Sequence, residues 1–168
     1  MPILKRKVFA YVTHANRLLV FTHPDSPEAG IQVPAGTLED GEDPRDGALR
    51  EATEETGLGG LEVVRFLGEQ RCDMSDYGAD EINHRYFFHL RCREEPPETW
   101  RHGEFTPSDG GVGPIPFDFF WARLPNEVPE LIADHGYFLP TLVAALELGE
   151  QQAAQADNRP ISFPGGEV

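Results

Sequence analysis

The sequence predicts a single α+β domain, a sandwich of strands and two helices. Three observations carry this. The 168 residues suffice for one core and are short for two. β-rich runs alternate with two helical segments. Turn residues separate these runs over most of the chain.

Lys7 to Thr13 and Arg17 to Thr22 are apolar, β-branched or aromatic runs separated by His14-Ala15-Asn16, the pattern of a hairpin. A turn-rich segment, His23 to Gly30, leads to a short apolar stretch, Ile31 to Val33, and then Pro34-Ala35-Gly36. Asp43 to Thr56 reads as the first helix. Asp43 suits the N-cap, Pro44 the first helical position and Asp46 the place of a capping-box acid. Gly57 fits a left-handed C′ position, from which Leu58 packs back on Ala52. Leu61 to Leu67 and His84 to Cys92 are further strands, with an acidic turn segment, Asp73 to Asn83, between them. Arg93 to Pro116 carries Pro96-Pro97, Pro107, Gly110-Gly111, Gly113 and Pro114, and reads as a long functional loop. Asp118 to Leu124 is another strand. A last helix is expected over Tyr137 to Leu148, with Leu139, Leu142, Val143 and Leu146 on one face. The composition then turns polar, so the domain is taken as residues 1–149 and residues 150–168 as a tail.

Composition excludes several classes of function. No apolar run is long enough to span a bilayer, and the basic N-terminal residues lead into no signal-like apolar segment, so the cytoplasm is the expected compartment. The net charge of −15 disfavours nucleic acid and anionic membranes as partners. Cys72 and Cys92 lack metal-site spacing and are read as buried thiols.

The chemistry concentrates in Arg50-Glu51-Ala52-Thr53-Glu54-Glu55. At helical spacing Glu51, Glu54 and Glu55 fall within an arc of about 100°, beside the arc of Ala48, Leu49 and Ala52. Like charges three and four residues apart destabilise a helix by roughly 0.2–0.5 kcal/mol per pair, and the C-terminal half of a helix disfavours anions further. Arg50 offsets part of that cost. A hard divalent cation would remove it, and a solvated acidic face is the alternative.

Residues 36–58, GTLEDGEDPRDGALREATEETGL, resemble the Nudix box, G-x5-E-x7-R-E-U-x-E-E-x-G-U with U apolar. Gly36, Glu42, Arg50, Glu51, Glu54, Glu55, Gly57 and Leu58 match, and Ala52 fills the first U position. The resemblance implies an α/β/α sandwich around a mixed sheet. It implies Mg²⁺, with Mn²⁺ as a substitute, held by Glu51, Glu54, Glu55 and a carbonyl near Gly36. It gives Glu51, Glu54 and Arg50 catalytic roles. Glu42 pairs with Arg50 to orient the ligands, and Gly57 serves backbone shape.

The implied reaction is hydrolysis of a pyrophosphate bond in a nucleoside diphosphate linked to another group; metal turns an acidic cleft into a polyphosphate site. A non-catalytic nucleotide-binding or regulatory module is the alternative. The implied partner is a small nucleotide or diphosphate, with a homodimer as an option. The general base is sought in Glu51 or in Asp80, Glu81 or Glu104. Arg71 and Arg85 are candidate phosphate contacts. Phe9, Tyr86, Phe88, Trp100 and Trp121 are aromatic candidates for a base, with Trp100 favoured because it lies in the long loop. Upstream coenzyme A signals are not visible, Arg71 to Ser75 lacks the proline of many ADP-ribose hydrolases, and Tyr77 only approximates a dinucleoside-polyphosphate marker.

Overall fold

Strand β1 (Ile3–His14) alternates its side chains between two cores, and this one strand explains the layering. Val8, Ala10 and Val12 enter one apolar cluster, while Phe9 and Tyr11 enter the other. The computed structural model describes residues 1–104 and 115–158, with the side chain of Glu104 outside the described set.

β1 turns through Ala15, at φ 54, into β2 (Arg17–Thr22), confirming the predicted hairpin. The short β3 (Ala35–Thr37) pairs antiparallel with β1. β4 (Leu61–Asp73), β5 (Glu81–Cys92), β6 (Thr99–Glu104) and β7 (Ile115–Arg123) complete one sheet in the order β4-β5-β1-β2-β7-β6, with β3 off that path. β1 and β5 run parallel and the other neighbours antiparallel, so the sheet is mixed.

Helix α1 (Pro44–Thr56) covers the face built from Val8, Ala10, Leu19, Phe88 and Phe119. Small residues, Gly47, Ala48 and Ala52, let it approach the sheet closely. Its predicted ends are observed: Asp43 accepts from the Arg45 N–H at 2.8 Å, and Gly57 takes the left-handed conformation at φ 71. Helix α2 (Leu139–Asp157) covers the opposite face, where Leu139, Leu142, Val143 and Leu146 pack as expected. The two helices make the architecture an α/β/α sandwich. No described helix is long and apolar enough to cross a membrane. Cys72 and Cys92 are buried free thiols.

β1, β5 and β7 begin three or four residues earlier than the sequence reading, at Ile3, Glu81 and Ile115, and three larger departures follow. β4 continues past Leu67 to Asp73, because two register shifts, at Val63/Arg65 and Phe66/Gly68, bend an edge strand that carries little apolar alternation. The segment read as a long loop contains β6, whose order comes from its ladder with β7. Its residues 105–114 lie outside the described residues. The last helix runs beyond Leu148 to Asp157, into the segment read as a tail; residues 159–168 lie outside the described set.

Candidate active site

The acidic helix, β3, the start of β5 and the turn before α2 converge on a cleft of about 900 Å³. Gly36, Arg50, Glu51, Glu54 and Glu55 all line it. Helical spacing delivers the three glutamates to one side. The β1–β3 pairing, Val8 opposite Gly36, brings the glycine to meet them.

Gly36 and Glu51 are in intimate contact. A Cβ built on Gly36 would lie 2.0 Å from the Glu51 Cδ. Only a residue without a side chain admits the carboxylate here. Three carboxylates lining one cleft are hard oxygen donors, the type Mg²⁺ and Mn²⁺ prefer. In the described residues no three acidic, His or Cys side chains are drawn together as a finished metal cluster. Arg50 Nη1 reaches Glu51 at 3.0 Å and Glu54 at 3.3 Å, placing an organic cation among the carboxylates.

The same guanidinium grips Glu42 through two bonds, Nε to Oε2 and Nη2 to Oε1, each 2.8 Å. These bonds hold the Glu42 carboxyl down to about 2. Glu42 also accepts from the Glu39 N–H at 3.1 Å, tying the loop before α1 to the helix. With side-chain exposures of 13% and 26%, the pair is more sheltered than an ordinary surface bridge.

The site includes residues that sequence reasoning did not single out. His102 on β6 donates from Nδ1 to the Glu55 carbonyl at 2.9 Å, covering an end group of α1. It packs so tightly under Gly57 that a Cβ there would lie 2.7 Å from its ring. His135 lines the other end of the cleft and accepts the Val33 N–H on Nδ1 at 3.2 Å. Burial, with Arg85 and Lys7 nearby, pushes its pKa down to about 3, so the ring is neutral and carries its proton on Nε2. Phe9, one of the aromatic candidates, forms apolar wall with Phe21 and Phe117, and Lys7 lies on the same strand face as Phe9. Phe21 and Phe117 are three-dimensional neighbours, 4.6 Å apart, from separate strands.

The expected substrate contacts divide. Arg85 lines the cleft. Arg71 and Trp100 lie outside the described lining of the cleft. Arg71 lies on the outer part of edge strand β4. Trp100 stacks on Phe119 at 5.1 Å and donates to the Thr56 carbonyl at 2.8 Å, so it fastens β6 to α1. Phe88 is buried in the α1-side core, where Tyr86 and Trp121 pack against it. Of the acids considered as base, Glu81 lines the cleft, Asp80 does not, and the Glu104 side chain lies outside the described residues. Tyr77 is half exposed and off the cleft.

A family model described as the NUDIX domain matches residues 4–111, more than half of the chain. The chain belongs to the NUDIX family. The Nudix fold recurs in solved structures. A UDP-X diphosphatase superposes with TM-score 0.57 and 16% identity over 87% of this chain, which spans 64% of that one. An ADP-ribose pyrophosphatase from Streptococcus suis 89-1591 gives 0.53 and 18%, covering 84% of this chain and 91% of that chain. A MutT NUDIX hydrolase from Burkholderia pseudomallei gives 0.53 and 17%, covering 83% and 98%. At these identities the likeness is one of fold.

Proposed function

We propose that this Nudix protein hydrolyses a pyrophosphate bond of a nucleoside diphosphate linked to another group, in the cleft between α1 and the turn before α2, with Mg²⁺ as cofactor. The observation that carries the reading is the Gly36–Glu51 contact beside Glu54 and Glu55, a set of oxygen donors on a cleft large enough for a nucleotide. A UDP-X diphosphatase and an ADP-ribose pyrophosphatase share the fold, and their names point to substrates of this kind.

Glu51, Glu54, Glu55 and the Gly36 carbonyl would hold the metal, which supplies charge neutralisation at the phosphate oxygens and a more acidic bound water. Arg50 acts as a positioning residue, since its donors are taken by Glu42, Glu51 and Glu54. Glu81 is bonded by Lys5 at 2.7 Å, and this holds its carboxyl below the ordinary range and weakens it as a base. Glu51, bonded by Arg50 at 3.0 Å, and Glu81 are both cleft carboxylates and both stand as candidates for receiving the proton of the attacking water. His102 fixes the end of α1, and with it the register of Glu54 and Glu55.

The test is a screen of nucleoside triphosphates, nucleotide sugars, dinucleotides and non-nucleotide diphosphates with Mg²⁺ and with EDTA. Metal-dependent release of phosphate or nucleotide is expected. Glu54→Gln should lower kcat by a factor on the order of 10² with the fold retained. Undiminished turnover by that variant would remove the metal assignment. Binding of a nucleotide without any turnover would favour the regulatory module instead.

A further inference from the structure

The wall of the cleft that carries Lys7 and Arg85 holds a charge arrangement that the metal site does not explain. The two residues are direct partners in the parallel β1–β5 ladder. Their side chains leave the sheet on one face, one step along from Phe9 and Phe87, whose rings stack at 4.7 Å. Like charges opposed across a ladder destabilise it. Among the described residues neither cation has a carboxylate within ion-pair distance; Glu81, on the same wall, is bonded to Lys5.

Arg85 is the more costly of the two. It is 1% exposed, with its guanidinium 4.9 Å from the Phe9 ring centroid. Nη1 donates to the Ala133 carbonyl at 2.6 Å, Nη2 meets only the Met74 thioether at 3.2 Å, and Nε is buried without an acceptor. A thioether is a weak acceptor, so a buried cation is left with one strong partner. That partner is itself held at a backbone cost. Ala133 has φ 49 and ψ 44, and Asp134 has φ 60, a left-handed region that residues with side chains seldom occupy. Beside them His135 offers a neutral N–H to the cleft. This wall therefore carries two cations and a donor beside one carboxylate, Glu81, and Lys7 also donates to the Thr37 hydroxyl at 3.3 Å.

Resting on the diphosphate reading of the cleft, we propose that Lys7 and Arg85 form a metal-independent anion subsite that seats a second negatively charged group of the substrate, a phosphoryl or a carboxylate, in the same cleft as the glutamates. The anion replaces the Met74 sulfur as acceptor for Arg85 and pairs with the Lys7 ammonium, relieving the repulsion between them. Substrates with an acidic group beyond the scissile linkage are favoured over those ending in an uncharged one.

The experiment uses the full chain in EDTA, titrated with inorganic phosphate and followed by calorimetry and thermal melting. Phosphate uptake is expected, with melting temperature rising with ligand concentration and affinity falling with added salt. Lys7→Met should weaken uptake about tenfold or more, and Arg85→Lys, which keeps the charge but loses the fork, should weaken it too. Lys7 is half-buried, so its variant decides the matter even if the Arg85 variant fails to fold. Glu54→Gln should take up phosphate as the parent does. Competition by malonate identifies a carboxylate-tolerant site, and its failure to compete a phosphoryl-selective one. Absence of phosphate uptake in EDTA, or unchanged affinity in Lys7→Met, overturns the subsite. Phosphate uptake without any metal-dependent hydrolysis would instead sink the activity and leave the subsite standing.

Discussion

The Glu51 carboxylate lies against the backbone of Gly36, with Cδ only 2.0 Å from where a Cβ on Gly36 would stand. A box glycine and a box glutamate far apart in sequence are thus one contact in space. The glycine is needed for room, since its φ does not lie in the left-handed region.

Gly36→Ala should therefore act on Glu51 more than on the fold. The neighbour displaced is the far end of a flexible side chain, so a melting temperature close to the parent's is expected. Turnover should fall roughly tenfold to a hundredfold, as misplacing a reacting group by about 1 Å does. A variant as active as the parent would show that Glu51 need not sit where it does.

Arg50→Lys tests the fork. Two 2.8 Å bonds to Glu42 and the reach to Glu51 and Glu54 need a planar guanidinium, which a lysine ammonium does not reproduce. A loss of kcat with little change in KM is expected. If lysine supported full activity, charge alone would suffice and the geometry would carry no role.

Trp100→Phe separates packing from substrate binding. Phenylalanine keeps the stacking on Phe119 and loses the bond to the Thr56 carbonyl. Denaturation should show a loss of roughly 1 kcal/mol, as for one hydrogen bond, with KM unchanged for every substrate turned over. A KM rise confined to nucleotides would return Trp100 to the binding surface.

Acid sensitivity follows from two buried histidines. Burial first, and Arg91 and Arg65 after it, push His89 down to about 4; its Nε2 shares a 2.7 Å hydrogen bond with Thr13. His135 lies at about 3. A folded-state value below the unfolded one of about 6.5 means that the unfolded chain binds protons first. Stability is then full above pH about 6.5 and declines as the pH falls toward 4. Glu42 adds a further loss below its ordinary 4.5, down to about 2. Denaturant midpoints measured from pH 7 to pH 4 should fall, and fall less in His89→Gln after allowing for that variant's lower starting stability. A flat profile for the parent would contradict the buried neutral state.

The sequence by itself determined the acidic helix and its chemistry. Asp43, Pro44 and Gly57 set its ends through local backbone rules, and 3.6-residue periodicity put Glu51, Glu54 and Glu55 on one side with Arg50 between them. Those are interactions within a few residues, and they do not wait for a fold. Tertiary structure alone decided that Lys7 faces Arg85, that His102 closes the end of α1, that Trp100 packs and that β6 is a strand. Each depends on a partner brought in by sheet pairing across tens of residues. No local propensity encodes that distance, and an edge strand with little apolar alternation leaves no periodic trace of its ladder.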